Sequence, residues 1–70
     1  MTRQWVSSSN LRAVGYDAAT HTLEIEFHHG GVYQYFGVPE AIYRSLMAAG
    51  SKGSYHHTHI KERYRYRKVA

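Results

Sequence analysis

There is no cysteine among the 70 residues, and that absence removes disulfide staples, thiolate metal sites and a cysteine nucleophile at once. A secreted domain this small usually relies on such staples, so their absence points to the cytoplasm. No apolar run approaches the roughly 20 residues of a membrane-spanning helix. Met1–Asn10 lacks the apolar stretch of a secretory leader, so none is expected. Internal repeats and low-complexity linkers are missing too, which leaves one domain, residues 1–70, with residues 1–5 read as a loose lead-in. A domain of this length buries only about 60% of the surface its unfolded chain exposes, too little for an elaborate interior active site.

Acidic residues are scarce where basic ones gather. The chain has a formal charge of +4, but residues 1–50 carry three arginines against four carboxylates. Residues 51–70 carry Lys52, Lys61, Arg63, Arg65, Arg67 and Lys68 against Glu62 alone. Cations clustered in this way favour a polyanionic partner, because binding releases its condensed counterions. A basic tail that merely keeps a small domain soluble is the competing explanation.

What the sequence has in quantity is alternation. "LRAVGY" leads to a turn at "DAATHT", and "TLEIEFHHGGVYQYFG" then reads as a β-hairpin. Leu23, Ile25 and Phe27 alternate with Glu24 and Glu26, the period of a half-buried strand. With His29-Gly30-Gly31 as a three-residue loop, Phe27 opposes Tyr33 and Ile25 opposes Tyr35, and both tyrosines face inward. A two-residue loop would instead bury Gln34, at a cost of roughly 1–3 kcal/mol if it found no partner.

Pro39 suits the first turn of a helix, and in "PEAIYRSLMAAG" Ile42, Tyr43, Leu46 and Met47 form an apolar stripe. Gly50 suits a left-handed stop. A second, shorter helix is compatible with the i, i+4, i+8 spacing of His56, Ile60 and Tyr64, capped by Ser51 or Ser54. The closing "RYRYRKVA" alternates again. The expected fold is α+β: a three-stranded antiparallel meander, with a fourth strand available from the tail, covered on one face by one or two helices.

Three segments in order, "SSNLRAVGYD", "TLEIEFHHGGVYQYFGVP" and "SKGSYHHTHIKERYRYRKV", resemble the KTSC domain. This short domain occurs at the C-terminus of some lysyl-tRNA synthetases and alone in small bacterial proteins. Its marker is a central Tyr-x-Tyr, here Tyr33-Gln34-Tyr35, followed by Gly37-Val38-Pro39. The resemblance spans about Val6 to Val69. It implies a bacterial cytosolic module with no established activity and no catalytic residues to carry over; RNA binding is suggested by the synthetase context.

The residues themselves give two candidate functions. In the first, Lys52, Lys61, Arg63, Arg65, Arg67 and Lys68 meet RNA phosphates, with Tyr66 available to stack on a base. If the tail is extended, Arg63, Arg65 and Arg67 share one side, while Tyr64 and Tyr66 pack inward as anchors. Protonation of the six histidines below about pH 6.5 would add charge beside them. In the second, the domain is a monomeric protein-docking module that uses Trp5, Val32 or Phe36 as exposed anchors. No metal or other cofactor is expected, since "HHTH" at His56–His59 has no i, i+4 histidine pair and only Glu62 nearby. No enzyme is expected either: Ser51 and Ser54 lie near histidines but no acid completes a triad, and "HHGG" is a turn rather than a phosphate loop.

Overall fold

The alternating segments assemble into one antiparallel sheet. The computed structural model describes residues 1–70. Its strands are β1 (Arg3–Trp5), β2 (Leu11–Asp17), β3 (Thr22–Phe27), β4 (Val32–Phe36) and β5 (Arg65–Lys68). Strand order in the sheet is the order in the chain, and every neighbouring pair is antiparallel. Helices α1 (Glu40–Ala48) and α2 (Lys52–His59) lie between β4 and β5 in sequence and pack on one face of the sheet. The fold is α+β as expected, and the tail does supply a strand. No helix is long and apolar enough to cross a membrane.

Arg3–Trp5, expected within a loose lead-in, pairs with β2 instead. Charge accounts for this: the Arg3 guanidinium reaches Glu24 at 3.3 Å and Glu26 at 3.7 Å. Gly15 makes room for the crossing, since a Cβ there would stand 2.9 Å from the Thr2 carbonyl oxygen. A bulge between Leu11 and Ala13 lets β2 turn both Leu11 and Val14 inward, and both are fully buried.

The hairpin register differs from expectation by two residues. Ile25 opposes Tyr33 and Leu23 opposes Tyr35, because the three-residue loop is His28-His29-Gly30 rather than His29-Gly30-Gly31. Gly30, at φ 109°, supplies the left-handed residue of that loop. Phe27 N–H then donates to the Gly31 carbonyl. A shift of two preserves the faces: Tyr33 and Tyr35 share a side with Leu23, Ile25 and Phe27. Gln34 stays on the other side and donates to Glu24 at 2.8 Å.

The core joins Leu11, Val14, Leu23, Ile25, Phe27 and Tyr35 from the sheet to Val38, Leu46 and Ile60. The α1 stripe packs as its spacing predicts, with Leu46 buried and Ile42, Tyr43 and Met47 partly so. Its stop is not Gly50. Ala49 turns extended, at φ −67° and ψ 138°, and the chain passes through Gly50 to Ser51. Ser51 caps α2 by accepting from Ser54 N–H at 3.3 Å. The helix ends at His59, so His56 and Ile60 reach the core while Tyr64 packs from beyond the helix.

Candidate functional site

Two helices cannot cover a five-stranded sheet evenly. Beneath α1, Tyr16 stacks on Tyr43 with centroids 4.9 Å apart and planes 8° off parallel. The other end of the same face, where β3, β4 and β5 meet α2, is left as an open cleft of about 900 Å³.

A closed circuit of aromatic rings lines it. Phe27 meets Tyr33 at 5.7 Å, Tyr33 meets Tyr66 at 5.9 Å, and Tyr66 meets Tyr35 at 5.8 Å. Tyr35 meets His56 at 5.4 Å, and His56 returns to Phe27 at 5.2 Å. His29 stacks on the Phe27 ring, its plane within 6° of parallel. Phe27, Tyr35 and His56 are buried and form the floor; Tyr33 is half-buried, and Tyr66, 58% exposed, stands at the rim.

The floor is held by one polar contact, 2.7 Å between the Tyr35 hydroxyl and His56 Nε2. Burial lowers His56 to a pKa of about 4, with the charges of Lys61 and His57 adding to the effect. Burial also pushes Tyr35 up to about 12, helped by Tyr33 and Tyr66. Both groups are therefore uncharged at neutral pH, and the pair is a satisfied buried hydrogen bond. His56, His57 and His59 do not converge. His56 points into the core, His57 lines the cleft, and His59 lies against Tyr55 at 4.5 Å.

The predicted tail residues are divided by the sheet. Tyr66 pairs with Tyr35 and Lys68 with Tyr33, which places both on the cleft side. Arg67 pairs with Gln34 and Arg65 with Phe36, on the uncovered side, although Arg65 borders the cleft where β5 begins. Arg63 lies in the turn before β5, so the three arginines do not form one row. Lys61 is at the cleft, whereas Lys52 is turned away and donates to the Ala49 carbonyl at 3.1 Å. The inward anchoring expected of Tyr64 and Tyr66 holds for Tyr64, which is half-buried. Tyr66 faces the helix side but no helix reaches over it, so it stays exposed.

None of the tail's cations is paired. All four ion pairs use Arg3, Arg12 or Arg44. Sequence reasoning missed Asn10, Phe27 and His29 as cleft residues, since nothing local marks the distant segments that share it.

Sheet order, helix placement and cleft together define a small single-sheet α+β domain with one face clothed and the other bare. The chain belongs to the KTSC domain family, whose sequence profile matches residues 7–64. The fold matches the crystal structure of a KTSC domain protein from Yersinia pestis with a TM-score of 0.96 and 43% identity, over 99% of this chain and 97% of that one. A lysine–tRNA ligase from Nostoc sp. is 39% identical over 62 residues, which are 89% of this chain but 11% of the ligase. An uncharacterized protein from Stutzerimonas stutzeri is 37% identical over 70 residues, 99% of both chains. The chain thus spans about a tenth of the ligases it resembles and nearly all of the small protein. The domain occurs both inside a larger enzyme and almost alone.

Proposed function

We propose that the domain is a non-catalytic module that binds single-stranded RNA, as a monomer in the cytoplasm. The observation that carries this reading is the setting of Tyr66: an exposed ring beside a buried aromatic floor, with Lys61, Arg65 and Lys68 near it, none of them ion-paired and only Glu62 sharing the cleft. A single strand offers bases to stack and phosphates to neutralise, and this corner of the protein matches both. The similar segment within lysine–tRNA ligases supports an RNA partner, since a tRNA is what those enzymes handle. Titrations against single-stranded RNA, duplex RNA and duplex DNA at several salt concentrations test it. Single-stranded RNA is expected to bind best, with affinity falling steeply as salt rises. Equal affinity for all three, or binding indifferent to salt, counts against it.

A second reading rests on the bare face of the sheet. Trp5 is 72% exposed and Phe36 38%, both on that face, and such rings serve as anchors in protein interfaces. Val32, expected as a third anchor, is buried. A protein partner would be indicated if Trp5→Ala abolished association while Tyr66→Ala left it intact.

A further inference from the structure

We infer that the cleft between α2 and β5 is a pocket for one unstacked nucleobase, with Tyr66 as its stacking face and Lys61 as the contact to the adjoining phosphate. The inference rests on the RNA reading above and goes beyond a basic tail meeting phosphates: it puts the selective contact on a ring rather than on the arginines.

Three features of the cleft select this occupant. The first is shape. Tyr66 is tilted against both its neighbours, 53° from Tyr33 and 38° from Tyr35, so neither ring covers it flush. A flat ring can lie on its open side while the buried Phe27, Tyr35 and His56 exclude water from below. The volume of about 900 Å³ is within the usual range for small-ligand sites.

The second is charge. Aromatic pockets also take methylated ammonium groups, but those attract a cation through ring faces and are unsuited to a basic surround. Here Lys61 and Arg65 border the cleft against Glu62 alone, with Lys68 on the same face. The balance favours a neutral π system attached to an anion, which describes a nucleotide.

The third is rigidity. The floor is fixed by the Tyr35–His56 hydrogen bond and by core packing, so a base stacked on Tyr66 would meet a floor that is already formed. His29 on the hairpin loop and His57 on α2 line the margin of the cleft.

The probes are a short single-stranded RNA of mixed sequence and a base-free ribose-phosphate oligomer of the same length and charge. The inference expects the base-free strand to bind roughly 5- to 100-fold more weakly than the RNA. Tyr66→Leu should weaken RNA binding by a similar factor, and Tyr66→Trp should preserve it. Lys61→Gln should lower the salt dependence by about one unit. Tyr66 is exposed, so Tyr66→Leu should fold normally, and the comparison of the two probes needs no variant at all. RNA binding that is equally tight for the base-free strand and for Tyr66→Leu would overturn the base pocket while leaving the RNA reading standing. Failure to bind RNA even at low salt would overturn both.

Discussion

Tyr35 and Tyr66 are cross-strand partners on the same face of the sheet, yet one is 3% exposed and the other 58%. Strand parity gives both rings the same direction, so it cannot account for the difference. What differs is the cover. Tyr35 lies within reach of α2 and bonds to His56, whereas Tyr66 sits one strand further out, past the edge of the helix. The fourth strand of the sheet thus completes the core, and the fifth extends the same aromatic surface into solvent. A domain this small can scarcely leave a large ring uncovered without cost, which makes Tyr66 the residue to test.

The comparison breaks most sharply at Tyr35. Tyr35→Ala removes a buried ring and orphans His56, and should cost roughly 3–5 kcal/mol, enough to unfold a marginal domain. Urea denaturation followed by circular dichroism measures it. A Tyr35→Ala protein with wild-type stability would mean the floor of the cleft is not part of the core.

Acid attacks the same contact. The folded protein keeps His56 neutral down to about pH 4, whereas an unfolded chain protonates it near 6.5. Between those values the unfolded state holds the extra proton, so the neutral ring's contribution is complete above pH 6.5 and is lost as the pH falls towards 4. The loss should be on the order of 3 kcal/mol once the pH has fallen below 4, seen as a falling denaturation midpoint. His56→Gln should flatten the profile over that range; an unchanged profile would place the acid sensitivity elsewhere.

These two residues also mark where the sequence could be read and where it could not. Alternation in Leu23–Phe27 and Val32–Phe36 fixed which face each side chain takes, and that survived a register error of two because faces repeat every second residue. The stripe of α1 and the Ser51 cap of α2 were legible because both depend on neighbours three or four residues away. The strand at Arg3–Trp5 was not, since its reason is a pairing of Arg3 with carboxylates some twenty positions later. The cleft was hidden for the same reason. Lys61, Arg65, Tyr66 and Lys68 were singled out from local charge and alternation, but their aromatic floor comes from β3, β4 and α2. How far α2 reaches across the sheet is a property of tertiary packing, and it alone separates Tyr66 from Tyr35.

Smaller effects sharpen the contrast. Tyr66→Ala should cost no more than about 1 kcal/mol, because most of the ring is already in water. Thermal melting compares it directly with Tyr35→Ala. A loss as large as that of Tyr35→Ala would show that Tyr66 anchors the tail and that its exposure is incidental.

The smallest expected change in stability separates the two faces of β5. Arg67 points to the bare side beside Gln34, whereas Lys61 borders the cleft. Neither makes an ion pair within the chain, so Arg67→Gln and Lys61→Gln should each change stability by less than about 0.5 kcal/mol. Their effects on RNA should nevertheless differ. Physiological salt screens charges over about 8 Å, so a phosphate held at the cleft feels Lys61 more strongly than a guanidinium across the sheet. Lys61→Gln should therefore weaken binding more than Arg67→Gln, with the gap widening as salt rises. Trp5 offers an independent check, being the sole tryptophan and lying on the bare side. Its fluorescence, excited selectively, should stay constant as RNA fills the cleft while tyrosine emission falls. If Trp5 responds instead, and Arg67→Gln proves the more damaging change, the strand runs over the bare face, and the exposed ring of Tyr66 lies on the wrong side of the sheet to meet it.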